Sequence, residues 1–321
     1  MSSTEEGEFA LIRRYFQDIG GSRFPVALSV GDDCAVLQPP AEQSLCFSID
    51  TLVEGVHFPI GYPAQHVATR ALGSALSDLA AMGASPAFFS LALTIPKVSH
   101  DWLASFSASL DEMARRFGVC LVGGDTTKGP LTVSVQVHGW LPHHSALCRK
   151  GASSGDSLYV SGTLGDAGAG LSLVLSEQRV LNERDRFLLQ RFHQPEPRLD
   201  LGFALRGLAS SCIDVSDGLL ADARHLCACS GVGLEIDAEA LPLSAALQQD
   251  FEADALSLAM TAGDDYELLF TVPAGKLDAL RALEAQYAIT CIGRVVEGGA
   301  VMVSQEGQPL KIERKGYDHF V

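Results

Sequence analysis

Hydrophobic and polar positions along the chain follow helical and strand periods in turn. One helix face is marked by apolar residues at three- and four-residue spacing, namely Leu103, Phe106, Leu110, Met113 and Phe117. Ser99, before this run, is a typical N-cap, and Gly118, after it, is a typical stop signal. The pattern predicts an amphipathic helix between these two residues.

Other segments alternate with the period of two that is typical of a half-buried strand. In 131–141, apolar residues at 131, 133, 135 and 137 alternate with polar residues at 132, 134, 136 and 138. Similar patterns predict strands at 26–30, 44–50, 119–124, 157–161, 211–215, 233–237, 267–273 and 290–296, and helices at 7–19, 63–83 and 217–229. Because these elements follow no regular βαβ cycle, we expect an α+β fold and not a doubly wound sheet.

The chain is long enough to predict two domains. It has 321 residues, and periodicity is lost in the small and polar segment 141–156. We therefore expect an N-terminal domain over 1–143 and a C-terminal domain over 144–321.

Composition and charge exclude several classes of protein. Hydrophobic residues make up 47% of the chain and charged residues 19%, which is typical of a globular protein. The formal charge of -16 argues against nucleic acid or an anionic membrane as a partner. The N-terminal segment lacks the apolar core of a secretory signal, and the eight cysteines include no CxxC pair, so we expect a cytoplasmic protein with free thiols.

Aspartates recur beside apolar runs in several distant segments. They occur in "SVGDDC", "FSIDT", "LVGGDTT", "CIDVSDG" and "MTAGDDYELLF". If each follows the end of a strand, their side chains can point into one cleft, although turn and capping preferences explain any single one equally well. Asp78 is different, because helical geometry places it within the apolar stripe of 63–83.

Converging carboxylates predict a site for divalent cations. Two unit charges 4 Å apart repel by about 4 kcal/mol at an effective dielectric constant near 20. Oxygen ligands without cysteine or paired histidine favour Mg²⁺, Ca²⁺ or Mn²⁺ over zinc, and carboxylates from distant segments suit a magnesium–nucleotide complex better than a calcium store. The chain has neither a GxxxxGK[ST] nor a GxGxxG loop. Arg149, beside Lys150, either binds phosphate or belongs to a solvated surface.

Seven motifs together resemble those of bacterial thiamine-monophosphate kinases. They are "GDDCAVL", "DTLVEGVHF", "ALSDLAAMGA", "GGDTTKG", "IDVSDGL", "GDDYELLF" and "KGYDHF". The resemblance covers essentially the whole chain and implies the two-domain aminoimidazole ribonucleotide synthetase-like architecture, with an N-terminal sheet domain that dimerises, a C-terminal α+β domain and nucleotide between them. It thus implies a homodimer.

The resemblance also implies roles for individual residues. The metal ligands or their supports would be Asp33, Ser48, Ile49, Asp50, Asp78, Asp125, Asp214 and Asp217. ATP would contact Gly124, Asp125, Arg149 and Ser216, and thiamine monophosphate would contact His57, Asp264 and Tyr317. Two positions depart from the family pattern: Lys128 stands where arginine is frequent, and Ile49 stands where threonine is common, which leaves Ile49 only its backbone carbonyl as a ligand.

The implied reaction is ATP-dependent phosphorylation of thiamine monophosphate to thiamine diphosphate, the last step of thiamine diphosphate biosynthesis. We expect direct in-line transfer assisted by several Mg²⁺ ions, without a general base, because the acceptor phosphate is already anionic at neutral pH. Two alternatives stay open at this point. One is another ATP-using enzyme of the same superfamily, and the other is a catalytically silent regulator that binds nucleotide or metal.

Overall fold

The computed structural model describes residues 8–21, 26–31, 33–176, 182–310, 312 and 316. The chain divides into two compact units. Unit 1 comprises Met1–Leu79 and Ser85–His143, and unit 2 comprises Ala80–Ala84 and His144–Val321. The α+β fold class is confirmed, because both units combine helices with sheets in which most neighbouring strands are antiparallel.

Unit 1 is built on a four-stranded sheet. Its elements are α1 (Glu8–Tyr15), β1 (Val26–Leu28), β2 (Val36–Leu37), β3 (Gln43–Val53), α2 (Ala64–Ala81), β4 (Ser85–Ile95), α3 (His100–Phe117), β5 (Cys120–Lys128) and β6 (Thr132–Pro142). The sheet has the order β3-β6-β4-β5, in which only β4 and β5 are parallel, and β1 pairs with β2 separately.

The predicted helix and the alternating strand of unit 1 are both confirmed. Helix α3 begins after Ser99, whose hydroxyl accepts the Trp102 N–H at 3.4 Å, and ends at Gly118, which has φ 70°. Along β6, Val133, Val135 and Val137 are buried, and the residues between them are partly exposed. These features were predictable because each depends on local sequence spacing and on its own capping residues.

The two faces of this sheet have different environments. Helix α2 covers the face that carries Ser48 and Val137, where Leu79 packs against Gly139. On the opposite face, neighbouring residues of β3 are exposed: Leu45 by 50%, Phe47 by 62% and Ile49 by 61%. An uncovered apolar row of this kind is unusual on a protein surface and is typical of an interaction site.

Unit 2 is built on a seven-stranded mixed sheet of order β13-β12-β9-β11-β7-β10-β8. Its elements are β7 (Ser157–Ser161), α4 (Asp166–Leu175), α5 (Glu183–His193), α6 (Leu199–Leu205), β8 (Ser211–Asp214), α7 (Leu219–Ser230), β9 (Gly233–Asp237), α8 (Ala245–Asp250), α9 (Ala255–Thr261), β10 (Leu268–Val272), α10 (Leu277–Glu284), β11 (Ile289–Val296), β12 (Val301–Gln305) and β13 (Gln308–Pro309). The core includes Leu158, Val160, Ile213, Leu234 and Leu269.

Several predicted boundaries differ from the structure by a few residues. The strands predicted at 157–161 and 233–237 have those bounds, whereas the helix predicted at 217–229 spans Leu219–Ser230. The first helix ends at Tyr15, four residues before the predicted end. All eight cysteines are free thiols, and no helix in the described part of the chain is long and apolar enough to cross a bilayer.

Candidate active site

The prediction that the aspartates lie at the ends of strands is correct for Asp214 and Asp217, at and just after the end of β8. It is wrong for Asp50, Asp125 and Asp264. Asp50 lies within β3 and Asp125 lies within β5, because both strands keep their ladder pairing beyond these residues. Asp264 precedes β10 and Asp33 lies between β1 and β2, where its side chain is exposed. The predicted site residues therefore lie in several kinds of local structure: within strands, before a strand and in a connecting segment.

In unit 1, a serine on the sheet binds the aspartate of the helix above it. The Ser48 hydroxyl donates a hydrogen bond to Oδ2 of Asp78 at 2.5 Å, and Asp50 lies on the same face of β3. Asp78 itself is partly buried, and its bond to Ser48 places its carboxylate on the side of α2 that faces the sheet, as predicted. Burial and the nearby Asp78 carboxylate raise the pKa of the Cys46 thiol.

Asp125 does not join this group within one chain. The ladder register aligns Asp50 with Val135, Leu91 and Gly124 in one row across the sheet. Asp125 is in the next row, so its side chain lies on the opposite face from Asp50, and the two strands are three positions apart, or about 14 Å. The predicted convergence of all the carboxylates is thus not present within unit 1.

His57 lies in the loop after β3 with one ring nitrogen already occupied. The backbone N–H of Val53 donates to Nδ1 of His57 at 2.9 Å. Because a backbone N–H can only donate, Nδ1 must be the unprotonated nitrogen, and Nε2 carries the proton. His57 is therefore held as a neutral ring whose Nε2–H is a hydrogen-bond donor. The fully buried Arg70 supports this loop by donating to the His57 carbonyl at 3.3 Å.

In unit 2, the segment after β8 is held by an aspartate that sequence reasoning missed. Oδ2 of Asp222 accepts the backbone N–H groups of Ser216 at 3.0 Å and of Asp217 at 3.1 Å. Asp222 lies in the first turn of α7, where a carboxylate interacts favourably with the helix dipole. Its spacing of five and six residues from these partners is the only sequence signal that points to this role.

The electrostatics around Asp222 show an excess of negative charge. Burial, with a smaller contribution from the carboxylates of Asp214 and Asp217, raises its pKa to about 8, although the two backbone donors oppose the shift. Asp214 is itself buried. This is a field that a cation would relieve.

The segment 263–266 brings a predicted ATP contact and a predicted substrate contact together. The Asp264 N–H donates to the Ser216 carbonyl at 2.9 Å, and the Tyr266 hydroxyl donates to Oδ1 of Asp264 at 3.0 Å. A side chain at Gly263 would overlap the Ser216 carbonyl, so only glycine allows this approach. Asp264 and Tyr266 have φ values of 69° and 51°, a conformation that costs about 1–3 kcal/mol per non-glycine residue and is frequent at functional sites.

A buried charge network lies next to this segment. Glu267 accepts hydrogen bonds from Arg191, Arg198 and Ser161, and Asp265 accepts the N–H groups of Gly165 and Ala167. Burial alone would raise the pKa of Glu267, but the two arginines hold it below its usual value. Burial raises the pKa of Asp265 to about 8, although Arg191 and the two backbone donors oppose the shift.

Three other predicted residues have simpler placements. The Arg149 side chain is exposed, and its carbonyl accepts the Ser230 hydroxyl at 3.0 Å. Gly124 lies on β5 where a side chain would overlap the Leu91 carbonyl, which explains the glycine. Tyr317 lies outside the described residues.

The predicted metal ligands fit magnesium in their chemistry but are divided between the two units. All of the side-chain donors are carboxylate or hydroxyl oxygens, which are the ligands Mg²⁺ prefers. Among the described residues, no three or more His, Cys, Asp or Glu side chains are grouped so that they could hold an ion. The donor set fits the cation, and each unit presents only part of it.

Both units of the chain are similar to known proteins. The family models "AIR synthase related protein, N-terminal domain" and "AIR synthase related protein, C-terminal domain" match residues 31–141 and 153–304. The thiamine-monophosphate kinase of Escherichia coli strain K12 is 46% identical over 98% of both chains.

Two solved structures share the fold. The thiamine-monophosphate kinase from Stenotrophomonas maltophilia K279a has a TM-score of 0.83 and 42% identity, and the match covers 90% of this chain and 93% of the other. The structure of AaThiL complexed with AMPPCP and TMP has a TM-score of 0.80 and 34% identity, and the match covers 100% of this chain and 99% of the other.

Proposed function

The chain belongs to the thiamine-monophosphate kinase family, and we propose that it transfers the γ-phosphoryl group of ATP to the phosphate of thiamine monophosphate. The products are ADP and thiamine diphosphate, so the reaction would be the last step of thiamine diphosphate biosynthesis. The observation that carries the proposal is the 2.9 Å hydrogen bond between Asp264 and Ser216, which joins a predicted substrate contact to a predicted ATP contact. A related protein has been solved with AMPPCP and TMP.

The proposed transfer is direct and in line, and it needs no general base. The attacking atom is a phosphate oxygen that is anionic at neutral pH, so no proton has to be removed before attack. The chain's task is to bring two polyanions together and to orient them. Arg149 and the segment 214–217 would bind ATP, with Gly124 and Asp125 as further contacts.

Several Mg²⁺ ions would be held by the oxygen atoms named above: Asp33, Ser48, the Ile49 carbonyl, Asp50, Asp78, Asp125, Asp214 and Asp217. When bound, they would neutralise phosphate charge and stabilise the charge that develops on the transferred group. The Ser48 hydroxyl fixes the Asp78 carboxylate in its orientation, and Asp222 fixes the backbone of Asp217.

The thiamine end of the substrate would contact three residues. His57 would offer its Nε2–H as a donor, because Nδ1 is occupied by Val53. Asp264, oriented by Tyr266, would pair with the cationic ring system, and Tyr317 would stack on one of its rings.

The proposed active form is a cytoplasmic homodimer that pairs through the sheet of unit 1. The exposed row of Leu45, Phe47 and Ile49 supports this arrangement, since a second copy would cover it. The separation of Asp50 from Asp125 within one chain agrees with a site that needs more than one sheet.

An acceptor panel tests the proposed function. The protein is incubated with ATP and Mg²⁺ and with one acceptor at a time: thiamine monophosphate, or the acceptors used by hydrogenase maturation and purine synthesis. We expect ADP and a phosphorylated product with thiamine monophosphate alone. Turnover with another acceptor would assign the chain to a different reaction of the superfamily, and binding of ATP without any product would indicate a silent regulator.

A further inference from the structure

Two residues of the segment 263–266 adopt a conformation that their side chains do not favour. Asp264 has φ 69° and Tyr266 has φ 51°, and neither is a glycine. Local sequence preference does not explain this geometry at Tyr266, because left-handed backbone is adopted routinely by glycine and occasionally by asparagine or aspartate, but rarely by a bulky aromatic residue. Other contacts must therefore hold the segment, and the residue between the two is the first to consider.

Asp265 binds a helix start that lies 100 residues earlier in the chain. Its Oδ2 accepts the Gly165 N–H at 2.7 Å, and its Oδ1 accepts the Ala167 N–H at 3.3 Å. Gly165 is the N-cap of α4 and has no side chain for capping, so Asp265 supplies the missing acceptor. Both oxygens of one fully buried carboxylate are thus fixed to a rigid element.

Glu267 anchors the other end of the segment. Arg198 donates to both of its oxygens at 2.7 Å and 2.5 Å, Arg191 donates at 2.8 Å, and the Ser161 hydroxyl donates at 2.6 Å. Arg191 also donates to the Asp265 carbonyl at 3.3 Å. A carboxylate with this many charge-assisted bonds has little freedom to move.

We propose that Asp265 and Glu267 are positioning residues that hold Asp264 in the left-handed conformation needed to meet the Ser216 segment and the substrate. The proposal rests on the proposed function, because it gives Asp264 its purpose. Neither residue touches the substrate, and each acts through the backbone of the segment. The first aspartate of "GDDYELL" would thus bind ligand and the second would set its direction.

The test combines kinetics with amide hydrogen exchange on the full chain. In Asp265→Asn, an amide group replaces one carboxylate oxygen and faces a backbone N–H, so one of the two bonds to α4 is lost. We expect the KM for thiamine monophosphate to rise about tenfold, with a smaller change in the KM for ATP. Without ligands, mass spectrometry of peptides covering 163–167 and 262–266 should show faster exchange than in the wild type.

Asp156→Asn is the matched control within the same unit. Asp156 is a buried carboxylate that accepts the Ser153 N–H at 3.1 Å and the Ser210 hydroxyl at 2.6 Å, before the start of β7. We expect it to lower Tm while the KM values and the exchange of 262–266 stay at wild-type levels. If Asp265→Asn does not fold, Ser161→Ala removes one bond from Glu267 and should raise the same KM by a smaller factor.

The outcomes separate this inference from the proposed function. If the wild type does not phosphorylate thiamine monophosphate, the proposed function fails, and exchange alone decides the positioning role. Faster exchange in 262–266 for Asp265→Asn, beyond that of Asp156→Asn, supports it. Equal exchange, or a wild-type KM in an active Asp265→Asn enzyme, overturns it.

Discussion

His57 illustrates how one backbone hydrogen bond decides what a side chain can offer to a ligand. Because Val53 occupies Nδ1, Nε2–H is the donor that the ring would present to a ligand. His57→Gln places an amide donor near the position of Nε2, whereas His57→Asn places its polar atoms near Nδ1. We expect the KM for thiamine monophosphate to stay within about threefold in the glutamine variant and to rise about tenfold in the asparagine variant.

Steady-state kinetics with ATP held at saturation measures this difference. Equal KM values for the two variants would show that the Nε2–H bond is not part of substrate binding.

Asp222 predicts how stability depends on pH in the absence of metal. Its folded pKa of about 8 is above the value of about 3.9 expected for an unfolded chain, so the folded state binds the extra proton between these values. The stability that this group contributes is complete below about pH 4 and is lost as pH rises through about 8. Thermal melts in metal-free buffer should therefore show Tm falling over this range, less steeply in Asp222→Asn.

The exposed Asp278→Asn variant is the control and should keep the wild-type slope. Because the proposed Mg²⁺ ions would offset the charges of Asp214 and Asp217, added Mg²⁺ should reduce the fall in Tm for the wild type. A wild-type slope in Asp222→Asn would contradict the assigned cause.

At the scale of elements, the structure agrees best with the sequence where the signal is local. Helix α3 and strand β6 follow their apolar spacing closely, because each pattern contains its own start, period and end. Helices α5 and α6 were not predicted. Arg191 lies in α5 and Arg198 immediately precedes α6, and their side chains bind Glu267, which is 76 and 69 residues later in the chain. Such long-range partners leave no periodic trace in the sequence.

The types of residue in the candidate site were predictable from the sequence, but their positions relative to the strands were less so. The motifs identified the acidic residues, and the helical period placed Asp78 on the buried side of α2. The strand-end rule failed for Asp50 and Asp125, because ladder pairing with neighbouring strands extends beyond both. Asp222 was missed, and Asp265 was identified only as part of a motif, since the roles of both depend on backbone groups that no sequence pattern displays.

Gly162 tests how closely the loop after β7 approaches the charge network. It has φ 56°, and a side chain there would overlap the Glu267 carboxylate. Gly207 has φ 73°, also close to the left-handed region, with no atom near the position of a side chain, so Gly207→Ala measures the backbone strain alone. We expect the free energy of unfolding to fall by about 1–3 kcal/mol in Gly207→Ala and by about 2 kcal/mol more in Gly162→Ala.

Urea unfolding of both variants measures these losses. Equal destabilisation would mean that Glu267 can move away from the loop, which would also weaken its proposed anchoring role.

At the scale of the whole molecule, the exposed apolar row on β3 predicts the oligomeric state. Phe47 is 62% exposed at the centre of that row, so Phe47→Glu should place a charge at the proposed interface. Sedimentation should give twice the chain mass of 34.0 kDa for the wild type and the chain mass for the variant. The charge would be costly only if a second copy covers it.

Val98→Glu is the control, because Val98 is 50% exposed outside this row and its variant should remain a dimer. A monomeric wild type, or a dimeric Phe47→Glu protein, would contradict pairing through this face.

The central claim is transfer of a phosphoryl group from ATP to thiamine monophosphate with the help of carboxylate-bound magnesium. The direct measurement uses ATP labelled with ¹⁸O in the γ-phosphoryl group and follows the mass of the thiamine product, with and without Mg²⁺. The predicted result is labelled thiamine diphosphate that requires Mg²⁺ and is reduced about 100-fold in Asp78→Asn at unchanged Tm. No labelled thiamine diphosphate from the folded wild type, or full activity in Asp78→Asn, would contradict the account.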